Sequence, residues 1–317
     1  MKNYDNRLIG VLIVSIMLMA LHINFLTDKR IEINFIDTKS GAVEQTKSVE
    51  KTVEPVQTVE QPPPAPLDVE GSARLVSEAQ QLLMDGEYQQ SIEKCTEALR
   101  LNPDNMEAYA VRGRSYGFMQ EYHKEIDDLN KSIAAGADLI AGINSRGFAY
   151  MHLNDYQKAL IDFDEATKLN PNFVKPYLNR GTMYLENLQK YDRAIKEFSK
   201  AIELEPNYAY SYISRGVAYC RQMKLEPAAV DFRKAIELSP NDAQAHLNLG
   251  LVYYDQHNFK GSIYESTKAI ELAAPDDNGI LRQAYSLRAR CHDNLGNKAA
   301  AESDWNRSLG FSANVKK

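Results

Sequence analysis

From Ser72 onward, small and apolar residues recur three and four positions apart along the chain, the spacing that lines one face of an α-helix. The helical stretches are punctuated by proline turns: NPDN ends at Asn105, NPNF at Phe173, EPNY at Tyr208 and SPND at Asp242, a spacing close to 34 residues. A proline stops the helix before it, so the pattern predicts helices grouped into repeating units. With each proline at position 32, units start at Ser72, Met106, Ile140, Val174, Ala209 and Ala243, and a degenerate seventh starts near Arg282. The fourth unit holds one extra residue, expected in the turn around Leu188 and Gln189.

Inside the unit, position eight is small where two helices must cross: Ala79, Gly113, Gly147, Gly181, Gly216, Gly250 and Ala289. Position twenty on the second helix answers it with Ser91, Ala159, Ala194, Ala228, Ser262 and Ala301, and Glu125 breaks the rule in the second unit. Bulk surrounds the crossing. Tyr109, Tyr177, Tyr212 and Tyr285 hold position four, five tyrosines from Tyr116 to Tyr253 hold position eleven, and Phe163, Phe198, Phe232 and Trp305 hold position twenty-four.

This period with these residue types resembles the tetratricopeptide repeat family over residues 72–310, about three quarters of the chain. The resemblance implies an all-α fold: a right-handed superhelical solenoid of about seven helix-turn-helix units, whose first helices line a concave groove that binds a peptide or protein. Position six faces that groove in the family. Here it carries a polar ladder of Ser77, Ser145, Asn179, Ser214 and Asn248, interrupted by Val111 and Leu287. Asn and Ser side chains can bond the main chain of an extended peptide; the bland alternative is that they solvate an exposed helix face. Phe148, Thr182, Val217 and Leu251 lie one turn away, with Lys175, Tyr210, Arg221 and Tyr254 around the rim. The carboxylate clamp of chaperone-binding members is not expected. Lys175 and Asn179 fit it, but Val76, Gln80, Ala110 and Arg114 do not complete the set.

Charges stand where the family usually has leucine. Position seven carries Arg112, Arg146, Arg180, Arg215 and Arg288, and position twenty-three carries Asp128, Asp162, Glu197, Asp231 and Asp304. The first unit reverses both signs, Glu78 with Lys94, and the sixth lacks the pair, with Leu249 against Glu265. An ion pair joining the two helices of each unit is expected; the alternative is that the arginines face the groove and meet an acidic partner.

The N-terminal part reads differently. After a short tail (residues 1–7), Leu8–Leu26 runs nineteen residues without a formal charge, close to a membrane-spanning length. An uncleaved signal anchor is expected, since Leu18 spoils the site before Ala20 that a signal peptidase would cut. Basic residues are nearly balanced across the span, and the short leading tail favours an extracytoplasmic, in a bacterium periplasmic, array. Residues 27–71 read as a disordered linker rich in Pro, Val and Glu, with Pro62, Pro63, Pro64 and Pro66 as a polyproline II spacer or a docking peptide. Residues 311–317 read as a tail.

Net charge of −6 argues against a nucleic-acid partner, and Cys95, Cys220 and Cys291 are too far apart for a disulfide framework or a zinc pattern. Phosphate loops, metal-ligand clusters and nucleophile elbows do not occur in the sequence. Carboxylates such as Asp127, Asp128, Asp162 and Asp164 read mostly as solvated, and His246 as a core histidine. The expectation is a membrane-tethered scaffold for a protein or peptide, without catalysis or cofactor, plausible in bacterial envelope assembly or secretion. Two other classes stay open: a cytosol-facing membrane receptor for import or chaperone clients, and a regulatory subunit of an enzyme in another chain.

Overall fold

The computed structural model describes residues 67–137 and 139–312. Leu8–Leu26 and the proline tract lie outside the described residues, so the anchor and the spacer remain expectations from sequence. No helix among the described residues is long and apolar enough to cross a membrane.

Among the described residues there are fourteen α-helices and no strand. They form seven consecutive pairs: α1 (Val69–Met84) with α2 (Tyr88–Leu101), α3 (Met106–Phe118) with α4 (Tyr122–Ala134), α5 (Leu139–His152) with α6 (Tyr156–Leu169), and α7 (Val174–Thr182) with α8 (Tyr191–Leu204). There follow α9 (Ala209–Arg221) with α10 (Leu225–Leu238), α11 (Ala243–Asp255) with α12 (Phe259–Leu272), and α13 (Asn278–Asn294) with α14 (Lys298–Ser312). Each helix packs on its neighbour in sequence, and most first helices also touch the first helix of the next pair.

The outer boundaries differ from the sequence reading. Helix α1 starts at Val69 rather than after Gly71, because the Asp68 carboxylate caps it by accepting from the Gly71 amide at 2.8 Å. At the other end α14 runs to Ser312, with the Phe311 ring stacked 5.9 Å from Tyr285. The seventh pair begins at Asn278, four residues before Arg282, behind a cap from Asp277 to the Ile280 amide at 3.0 Å.

The core sits at the crossings. Phe163 and Phe198 are fully buried and Phe232 nearly so, each ring lying over the glycine of position eight. A Cβ at Gly216 would stand 2.7 Å from Phe232 Cε1, and one at Gly181 2.6 Å from Phe198 Cε1, closer than any side chain tolerates. Where position twenty is serine, its hydroxyl donates to the carbonyl of position eight: Ser91 to Ala79 at 2.9 Å and Ser262 to Gly250 at 2.7 Å.

The turn within each pair is closed by one residue at positive φ, and only the first and last pairs use glycine, Gly86 and Gly296. Gln120, Asn154, Gln189, Met223 and His257 hold the same place, and the following amide bonds back five residues, as from Glu121 to Tyr116 at 2.9 Å, or six in the fourth unit, from Lys190 to Tyr184 at 2.7 Å. The extra residue of the fourth unit is not in the loop. It is wound into Met183–Asn187 as a π turn, with the Leu188 amide reaching the Met183 carbonyl at 3.0 Å. Widening the last helical turn keeps Met183, Tyr184 and Leu185 buried, so the added residue leaves the crossing in register.

Glu125 departs from the small-residue rule without leaving the core. It is 3% exposed, and its carboxyl fills the space a side chain at Gly117 would take, 2.7 Å from that position. Deletion of bulk at Gly117 offsets the addition of bulk at Glu125. Burial pushes its pKa from 4.5 up to about 8, so the folded chain carries this carboxyl protonated at neutrality. A raised acid pKa means folding takes up a proton between those two values. Stability from this site is therefore greatest below pH 4.5 and declines as pH rises towards 8. The decline is at most about 1.4 kcal/mol per pH unit for one proton. Glu125→Gln should flatten urea-unfolding stability across that window; an unchanged slope would place the carboxyl in water.

Candidate functional site

The arginines of position seven meet the carboxylates of position twenty-three. Arg215 is bidentate on Asp231, Nε at 2.8 Å and Nη2 at 2.7 Å; Arg112 grips Asp128 at 2.7 and 2.9 Å. Arg146 and Arg288 hold Asp162 and Asp304 in the same way, and Arg180 reaches Glu197 through Nη2 at 2.7 Å. In the reversed first unit Lys94 meets Glu78 at 2.7 Å. Asp128 and Asp162 are thus not solvated, being 4% and 3% exposed, because the guanidinium replaces their water; Asp127 and Asp164 are exposed. Bonding to Asp231 and Asp128 raises the pKa of Arg215 and Arg112 further, keeping both charged. The arginines are therefore engaged between helices rather than presented to a partner.

Two further contacts complete each arginine and were not anticipated. Except at Arg146, where position four is Ile143, its plane lies against the tyrosine of position four, 5.5 Å for Arg112 on Tyr109 and 5.9 Å for Arg215 on Tyr212. Its Nη1 crosses to position twenty-five of the preceding unit: Thr96, Asn130, Asp164, Ser199 and Thr267. One side chain so joins three helices of two units. The sequence carried a signal, since each of those positions holds an oxygen acceptor. In the sixth unit His246 takes the tyrosine's place: Nδ1 lies 2.7 Å from Glu265, and Nε2 lies 3.1 Å from the Pro240 carbonyl. The Tyr212 hydroxyl makes the equivalent bond to Pro206 at 2.9 Å.

Of the groove residues, the structure gathers Arg221 and Asn248. They line a concavity of about 320 Å³ between α9 and α11, with Val217, Leu251, Cys220 and Asp255. Gln244 donates to Asn248 Oδ1 at 2.9 Å, so the amide nitrogen is the group of Asn248 able to donate to a carbonyl. The other groove candidates are dispersed. Asn179 is half-buried and donates to Asn144 at 3.1 Å, tying α7 to α5. Ser145 and Thr182 are half-buried, Lys175 is exposed, and Ser214 is only 7% exposed. Phe148 meets His152 edge-on at 4.4 Å, and Tyr254 packs under Arg290 at 5.0 Å. Burial pushes the Cys95 thiol up to about 12 and Cys220 to about 11, which disfavours the thiolate form of both at neutral pH. Among the described residues no cluster of ligating side chains could hold a metal ion.

Residues 141–173 match the tetratricopeptide repeat family model, and residues 188–223 and 216–256 match a TPR repeat model. Residues 141–173 and 188–256 thus carry tetratricopeptide repeats. Solved structures of the same fold include the C-terminal part of a TPR repeat-containing protein from Cytophaga hutchinsonii, 20% identical, with a TM-score of 0.59 over 74% of this chain and 95% of that one. A tetratricopeptide repeat protein from Parabacteroides merdae is 18% identical, with a TM-score of 0.57 over 76% of this chain and 93% of its own. PilF of Pseudomonas aeruginosa is 16% identical, with a TM-score of 0.56 over 64% and 92%. No curated protein matches the sequence. At these identities the likeness is one of fold.

The Arg215–Asp231 side chains are 21% and 4% exposed, whereas Lys94–Glu78 are 39% and 44% exposed. A double-mutant cycle on Arg215→Ala and Asp231→Ala should give a coupling of about 1–3 kcal/mol, while the exposed Lys94–Glu78 pair couples more weakly. Equal couplings, or additive effects at Arg215, would show that burial and bidentate geometry add nothing.

Proposed function

We propose that this chain is a non-catalytic scaffold, tethered to a membrane through residues 8–26, that binds an extended segment of a protein partner between α9 and α11. The observation that carries the reading is the concavity where Arg221 and Asn248 stand over an apolar floor of Val217 and Leu251, with Asp255 opposite in charge. An apolar floor takes a side chain, the Asn248 amide takes a main-chain carbonyl, and the two charges orient the segment. Support for a binding rather than a catalytic role comes from the use of charge: the arginines and their carboxylates are consumed in joining helices. An extracytoplasmic array on an N-terminal anchor, serving envelope assembly or secretion, is the setting that fits the charge-free run Leu8–Leu26.

Two outcomes are expected. Arg221→Ala with Asn248→Ala should weaken photo-crosslinking of the full chain to its partner about ten-fold, at about 0.5–1.5 kcal/mol per bond lost, with helix content unchanged by circular dichroism. Undiminished crosslinking would move the site elsewhere on the array. Deleting residues 8–26 should release the chain from membrane fractions; recovery of native chains that begin near His22 would instead reveal a cleaved leader.

A further inference from the structure

Along the edge formed by the turns within each pair, the first residues of α2 and α4 lie against the last residues of α3 and α5. In the opening repeats these are aromatic. Tyr88 stacks on Phe118 at 4.8 Å with the planes 3° apart, and Tyr122 stacks on His152 at 4.8 Å. Phe148 abuts His152, extending the ridge onto α5. The ridge is open to solvent: Phe118 is 61% exposed and the neighbouring Met84 73%. Later repeats do not continue it, since the places of Phe118 and His152 are taken by Glu186, Arg221 and Asp255.

Charge divides at the same point. Residues 67–173 contain eighteen Asp and Glu against ten Lys and Arg, a formal net charge of −8, whereas residues 174–312 contain seventeen against eighteen. The residue before each second helix repeats the division at close range: Glu87, Glu121 and Asp155 beside the ridge, then Lys190 and Lys224 beyond it. Glu121 and Asp155 hold Lys124 and Lys158 only in exposed pairs, which cost a partner little to displace. Those two lysines also sit 5.1 Å over the rings of Tyr116 and Tyr150, so ammonium on aromatic is already the local chemistry of this edge. Burial lowers the His152 pKa, so the ring stacked on Tyr122 adds no positive charge at neutral pH.

The geometry points to a second docking surface on repeats one to three, the Tyr88–Phe118 and Tyr122–His152 ridge in its acidic surround, for a protein segment that alternates lysine or arginine with apolar side chains. Its chemistry differs from that of the α9–α11 concavity, and it stands whether or not that concavity binds. Apolar side chains cover the exposed rings, while the flanking cations meet π-faces and turn carboxylates.

A short fluorescent peptide alternating Lys and Leu, titrated into the full chain, tests this. It should bind, more weakly as salt rises, while its Glu–Leu counterpart does not. Phe118→Ala with Phe148→Ala, both at exposed rings, should weaken binding about ten-fold at unchanged helix content, and Arg221→Ala with Asn248→Ala should leave it intact. Equal binding of the Glu–Leu peptide, or no effect of the two ring substitutions, overturns the proposal. So would a concentration-dependent dimer in sedimentation that Phe118→Ala abolishes, which would give the ridge to a second copy, or ridge-dependent binding to phosphatidylglycerol vesicles, which would give it to lipid.

Discussion

Two helices can cross at near-backbone contact only where one of them carries a methyl group or no side chain at all, and every unit of this array is arranged around that requirement. Glycine or alanine at position eight lets the second helix approach, and in the second to fifth units the space beside the contact is filled by a ring or a leucine at position twenty-four, with the buried Cys95 there in the first. The closeness is what makes the substitutions interdependent. Leu129 stands in for phenylalanine beside Gly113, and in the sixth unit, where position twenty-four is Ser266, Leu287 of the next unit moves in to within 3.2 Å of where a Gly250 Cβ would lie. A fixed crossing distance thus permits different fillings but not different volumes.

Close packing fixes each pair; it does not by itself fix one pair to the next. That task falls to the position-seven arginine, whose Nε and Nη2 hold the carboxylate of its own unit while Nη1 reaches the preceding one. In a linear array stability is a sum of unit and nearest-neighbour terms, so a contact at every joint but that of the fifth and sixth units acts on the cooperativity of the whole. Buried guanidinium tolerates this role because its donors diverge in one plane, matching a bidentate carboxylate on one side and a neutral oxygen on the other. At Arg180 the neighbour is a second carboxylate, Asp164, and the longer Glu197 replaces aspartate, a variation accompanied by the π turn in the same unit. The sixth unit, with Leu249, keeps its carboxylate satisfied through His246.

The fold was legible because it is periodic: a residue type that recurs at one position in six units carries its own explanation, and glycine against phenylalanine could be read without coordinates. Opposite signs at positions seven and twenty-three were legible for the same reason. What escaped the sequence was aperiodic or involved compensation. The cap at Asp68 and the extension of α14 belong to ends, where no neighbouring unit sets the register. The π turn absorbs an insertion inside a helix, which sequence spacing alone assigns to the loop. Glu125 with Gly117 is a paired exchange at two positions of one unit, visible only once both are known to touch. The groove was the least legible part, because polar residues at one helical position share a direction but not an environment: Asn248 opens on a concavity, Asn179 is spent on Asn144, and Ser214 is buried.

That contrast locates where binding specificity can reside. Residues that repeat in every unit are committed to crossings, turns and joints, and a partner cannot use them without unmaking the array. Specificity must come from positions that vary while the scaffold stays constant. On this chain those positions diverge along its length. The inner edge of the first three repeats is aromatic and acidic, and the joint of the fifth and sixth is an aliphatic hollow flanked by Arg221 and Asp255. An array whose period is invariant in packing but graded in surface chemistry presents unlike surfaces along one scaffold, which a single globular pocket cannot do.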